Sequence, residues 1–126
     1  MGLDMYLFKR KKNEPNGEPE EVAYWRKANQ IRNWIVNHTD YKENADCEEF
    51  KLTKYNLINL LEDCQTALEN REMANMLIPT KSGFFFGNTD YNESYFWDLE
   101  NTVRQLEKVI NETDWNNEDI FYYEWW

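Results

Sequence analysis

The chain has 126 residues, enough for one domain with one real core. It carries 24 acids against 14 Lys and Arg, a net charge of −10, and 6 Trp, 8 Tyr and 7 Phe make 17% of it aromatic. That aromatic load excludes a disordered acidic tail, the apolar runs are too short for a membrane span, and the negative charge argues against wrapping duplex DNA.

At the N-terminus the apolar residues precede Lys9-Arg-Lys-Lys12, the reverse of a secretory signal, and Tyr6 stands where a myristoylation site wants Ser or Thr. The expected compartment is the cytoplasm. Cys47 and Cys64 fit reduced thiols better than a disulfide framework. Charge is graded along the chain: residues 1–12 carry +3 and residues 23–42 carry +3, whereas residues 90–126 carry −8.

Residues 3–10 alternate with period two and predict a strand, with Leu3, Met5 and Leu7 on one side and Asp4, Tyr6 and Phe8 on the other. Residues 11–18 are rich in turn formers. Pro19, Glu20 and Glu21 suit a helix start, and a helix is predicted to about Val36 with Tyr24, Ala28, Ile31 and Ile35 as its apolar stripe. Residues 48–52 predict a short strand. Thr53 is the expected N-cap of a second helix ending near Asn70, which presents Leu57, Leu60, Leu61, Cys64 and Leu68 on one face. Phe84-Phe-Phe86 reads as a buried strand leading into a Gly87-Asn88 turn. Asp90 and Glu93 read as a capping box opening a third helix that carries Leu99, Val103, Leu106 and Ile110 inward. Ile120 to Trp126 predicts a final strand. The expected fold is a single compact α+β domain over 1–126, a small antiparallel or mixed sheet packed with three helices.

Three blocks are distinctive: the opening Met1-Gly-Leu-Asp-Met-Tyr-Leu, Tyr24-Trp-Arg-Lys-Ala-Asn29, and Ser82-Gly-Phe-Phe-Phe-Gly-Asn-Thr-Asp-Tyr91. They resemble a family of small bacteriophage and prophage proteins, and the resemblance runs to the last helix. It implies a setting and no catalytic mechanism: a phage accessory protein in the cytoplasm of an infected cell. By analogy of setting, such a protein counters host defence by sequestering a nucleotide-derived signal or by binding a defence protein.

Candidate binding residues fall in two groups. On the predicted helix, Trp25, Arg26 and Asn29 share one face beside Lys27; a guanidinium forks onto phosphate, an indole stacks on a base and an amide reads a base edge. The plainer account is a solvated helix shoulder. Ser82, Phe84, Phe86, Thr89 and Tyr91 form the second group, small hydroxyls and rings ahead of a helix N-terminus, where anions are favoured. A core strand ending in a capped helix explains the same residues, and Asp90 opposes an anion there. The run Tyr122, Tyr123, Trp125, Trp126 reads equally as a sheet edge packed on both sides or as an interface with a partner or a second copy.

No catalytic set emerges. His38 is the single histidine, Cys64 falls on an apolar stripe, and no cluster has metal-ligand spacing. The sequence thus predicts a binding protein without catalytic residues, metal or cofactor. Its expected partner is a small anionic nucleotide-like ligand, held by the two groups above. The alternative is an acidic inhibitor or nucleic-acid mimic, acting on a host defence protein through the acids of residues 90–126.

Overall fold

The computed structural model describes residues 2–42, 48–82 and 88–126. The expected strand at Phe84–Phe86, the candidate site residues Phe84 and Phe86, and Cys47 lie outside the described residues.

Strand β1 (Asp4–Lys11) pairs antiparallel with β2 (Glu20–Arg26) and with β4 (Glu118–Trp125); β3 (Phe50–Leu52) pairs antiparallel with β4. The sheet order is β2-β1-β4-β3. Both central strands alternate. Met5 and Leu7 of β1 and Ile120, Tyr122 and Glu124 of β4 are buried on one face. Tyr6, Phe8, Phe121 and Tyr123 take the other face and are half-buried.

One predicted element is corrected. The helix expected from Pro19 to Val36 is a strand followed by a helix, β2 and then α1 (Asn29–His38). Glu20–Arg26 holds Val22, Tyr24 and Trp25, which fit a pleated surface, and β1 supplies the ladder a lone helix would lack. Ala23 and Trp25 point inward while Tyr24 and Arg26 point out. Val22 has no partner in the ladder; it is a bulge between Glu21 opposite Phe8 and Ala23 opposite Leu7, and it packs on the core. Lys27 ends the strand with a φ of 55°, in left-handed backbone, and the helix starts two residues on. Of the predicted stripe, Ala28, Ile31 and Ile35 are buried and Tyr24 is not.

Helix α2 (Lys54–Glu69) starts at the expected cap. The Thr53 hydroxyl accepts from the Asn56 N–H at 3.0 Å, and the Asn56 side chain accepts from the Thr53 N–H at 2.9 Å. The connection expected over 71–83 contains a 3-10 turn (Arg71–Met73) and a short helix, α3 (Ala74–Leu77). Helix α4 (Glu93–Glu112) is capped by Asn92, whose side chain accepts from the Tyr95 N–H at 3.1 Å; Asp90, the expected cap, lies before it.

The helices gather on the inner face of the sheet. The buried Trp25 indole donates to Thr102 Oγ1 of α4 at 2.8 Å, and Trp34 of α1 donates to Asp63 of α2 at 2.8 Å. No helix among the described residues is long and apolar enough to cross a membrane.

Candidate functional site

The β2–α1 junction sits against the N-terminal end of α4. Between them lies a cleft of about 330 Å³ lined by Arg26, Lys27 and Gln30 from one side and by Asn88, Asp90, Asn92, Trp97 and Asp98 from the other. Two backbone features place its cations. Arg26 is the last residue of β2 and points to solvent, where its Nη1 lies 3.4 Å from Asp4 Oδ1. Lys27 follows with its positive φ, a conformation costing a non-glycine residue about 1 kcal/mol. Its N–H donates to the Leu3 carbonyl at 2.7 Å, which ties the turn to the start of β1.

Asn29 acts as a clasp. Its side-chain amide donates to the Asn88 carbonyl at 2.9 Å and its side-chain oxygen accepts from the Lys81 N–H at 3.0 Å. The sequence paired Asn29 with Arg26 as a ligand contact. The structure instead buries it, with hydrogen bonds to Lys81 just before the Ser82–Tyr91 block and to Asn88 within it. Gln30 is also buried and donates to the Tyr95 carbonyl at 3.3 Å and to Asp98 Oδ2 at 3.2 Å. Burial raises the Asp98 carboxyl to about 6, a shift that the Gln30 hydrogen bond opposes.

The predicted site residues separate accordingly. Arg26 and Lys27 line the cleft. Trp25, expected beside them on one helix face, points through the sheet into the core and is 3% exposed, because neighbours in a strand face opposite sides. Ser82 is exposed. Thr89 contributes its carbonyl to the Thr80 hydroxyl at 2.9 Å. Tyr91 packs on the Tyr95 ring at 4.8 Å and its hydroxyl accepts from the Thr80 N–H at 3.2 Å, so both brace the segment entering α4.

Trp97 and Asp98 were not predicted. Trp97 is 58% exposed on the first turns of α4, the ring most available for stacking at the cleft. Its signal in the sequence was weak but present: it falls two residues before Leu99 and so off the apolar stripe.

No family model matches the chain, and neither a curated protein nor a solved structure matches it.

Elsewhere the candidates for chemistry are held in structural roles. His38 stacks on Trp34 with ring centroids 4.4 Å apart, and its Nδ1 lies 3.0 Å from the Trp34 carbonyl. Cys64 is fully buried and burial raises its thiol far above the ordinary range, which suppresses the nucleophilic thiolate.

Proposed function

We propose that the protein is a non-catalytic binding protein that captures a small anionic nucleotide-like ligand in the cleft between the β2–α1 junction and α4. The observation that carries this reading is the convergence of Arg26 and Lys27 with the exposed Trp97 ring and the Asp90 and Asp98 carboxylates on one cleft. The chemistries divide. Arg26 and Lys27 take phosphate, Trp97 stacks on a base, and the carboxylates accept from ribose hydroxyls or an exocyclic amine. With Asp4 3.4 Å from Arg26, two cations face three acids at and beside the cleft, so a singly charged nucleotide fits better than a polyphosphate. A phage accessory protein acting in the cytoplasm of an infected cell, against a nucleotide-derived defence signal, is the setting we attach to it, on the resemblance of the three sequence blocks.

The inhibitor reading draws less support from the ion pairs. Among the acids of residues 90–126, Glu93 pairs with Arg71, Glu118 with Lys9, Asp119 with Lys51 and Glu124 with Arg32. These charges are compensated within the fold, which leaves fewer to imitate a polyanion.

Calorimetric titration with a panel of cyclic and linear mononucleotides tests the capture reading. Binding that is lost in Arg26→Ala and in Trp97→Ala supports it. Silence across the panel at high protein concentration overturns it.

A further inference from the structure

Asp98 is held from behind on the wall of the cleft. Its Oδ2 accepts from the Gln30 amide at 3.2 Å, and Gln30, 2% exposed, is fixed in turn by donating to the Tyr95 carbonyl at 3.3 Å. Tyr95 is buried and its hydroxyl donates to the Ile78 carbonyl at 2.6 Å, so the support behind the carboxylate belongs to the core. An ionised carboxylate has about four acceptor positions. Among the described residues Gln30 fills one of them, and the ion pair that Arg26 makes is with Asp4 and not with Asp98. The Gln30 amide hydrogens are spent on Asp98 and Tyr95. Its Oε1 accepts nothing among the described residues, where no buried side-chain oxygen lacks a partner, so Oε1 opens to solvent at the cleft that Gln30 lines. Gln30 and Asp98 thus offer acceptors to the cleft and no free donor.

We infer that the cleft selects guanine, with Asp98 as the specificity-determining residue: its carboxylate accepts from guanine N1–H and from the N2 amine while the base lies on the Trp97 ring. The inference rests on the capture reading above and names the base of its ligand. A wall of acceptors calls for an edge of donors. Guanine carries two adjacent donors on its Watson–Crick edge, and two parallel N–H groups match two carboxylate oxygens as a guanidinium does. Adenine and cytosine set one amine beside a ring nitrogen that accepts. Uracil sets one N–H between two carbonyls. Each of these turns an acceptor toward Asp98, and a partly desolvated carboxylate left without its donors opposes binding.

Placement within α4 suits the same division of work. Trp97 and Asp98 are consecutive, so their side chains leave the helix about 100° apart. A base lying over the exposed ring then turns an edge to the carboxylate. The other acids at the cleft are placed less well for that edge. Asp4 meets Arg26 at 3.4 Å and takes the Tyr24 hydroxyl as well. Asp90 is exposed and its carboxylate accepts nothing among the described residues, which leaves it to ribose hydroxyls at the rim. Burial raises the Asp98 carboxyl to about 6, so at about pH 7.5 it is ionised and still an acceptor.

Calorimetric titration of the full chain at about pH 7.5 with the linear and cyclic monophosphates of guanosine, inosine, adenosine and cytidine tests the inference. The guanosine forms are expected to bind tightest, and the adenosine and cytidine forms roughly tenfold to a hundredfold more weakly. Inosine keeps N1–H and lacks the amine, so its forms are expected in between. That comparison uses the unaltered chain and depends on no variant folding. Asp98→Asn keeps the shape of the side chain and replaces one acceptor by a donor. It is expected to bring guanosine binding to within about threefold of adenosine binding. All four bases binding alike overturns the guanine inference and leaves the capture reading standing. So does tighter binding of the adenosine forms, or a guanosine preference that survives in folded Asp98→Asn. Silence with all of these nucleotides overturns both.

Discussion

Arg32 of α1 and Glu124 of β4 form a two-pronged ion pair under the sheet, with Nε 2.9 Å from Oε1 and Nη2 2.9 Å from Oε2. Both residues are buried. The Tyr122 hydroxyl donates to the same carboxylate at 2.7 Å and the Trp126 indole at 3.1 Å, so Glu124 binds the first helix, its own strand and the terminal residue together. Burial, followed by the neighbouring Glu124 charge, raises the Tyr122 hydroxyl well above its ordinary range, which keeps it a donor.

Removing one charge of this pair takes from the other its two-pronged partner at a buried position. Glu124→Gln is expected to cost about 3–5 kcal/mol in urea denaturation. Gln still accepts from Tyr122 and Trp126, so adding Arg32→Met should recover a large part of that loss. Costs that simply add in the double variant would refute coupling between the two residues.

Lys27 joins a strained backbone to a proposed ligand contact. Lys27→Gly relieves the positive φ and is expected to stabilise the fold by up to about 1 kcal/mol. The same change removes a cation from the cleft and should weaken nucleotide binding about tenfold. A variant that binds as well as the parent excludes Lys27 from the site, whatever its melting temperature.

Asp98 predicts a pH dependence. Its folded-state value of about 6 lies above the ordinary carboxylate value, so between about pH 4 and 6 the folded chain holds a proton that the unfolded chain releases. The contribution of Asp98 to stability is greatest below about pH 4 and declines as pH rises through 6. The decline is on the order of 1 kcal/mol, discounted for the solvent this half-buried carboxyl still meets. In Asp98→Asn that component of the pH slope should vanish from denaturation curves. Anion binding should also strengthen several-fold from pH 7 to pH 5 in the parent and stay level in the variant.

Gln105 of α4 covers the β2 edge in the manner of a neighbouring strand: its side chain accepts from the Tyr24 N–H at 2.8 Å and donates to the Tyr24 carbonyl at 3.0 Å. Gln105→Ala removes two hydrogen bonds from Tyr24 and is expected to cost about 1 kcal/mol. Amide exchange at Tyr24 should rise by an order of magnitude while that at Tyr6, in the middle of the sheet, holds. Equal protection of Tyr24 in both proteins would show that the edge is shielded by something else.

Much of the architecture was legible in residues 3–10, 48–70 and 93–126. There the local pattern and the tertiary structure agree, as at Thr53, where hydroxyl and amide partners lie three residues apart and need no distant contact. Glu20–Val36 was misread because a stripe at Ala28, Ile31 and Ile35 extends backward to Tyr24 by spacing alone. Strand β1 and the turn at Lys27 decide that segment, and both act through the backbone.

The candidate site was legible only in part for the same reason. Arg26 and Lys27 kept their place because exposed cations at a junction stay at the surface in either reading. Trp25 moved to the core because the side-chain period changed from 3.6 to 2. Asn29 turned from a ligand contact into a clasp because its partners, Lys81 and Asn88, lie more than fifty residues away. Composition and spacing alone determined a single α+β domain with acidic charge and surplus rings. The tertiary structure decided which rings are spent in the core, which charges cancel and which side chains share a cleft, because burial and pairing depend on contacts between segments far apart in the chain.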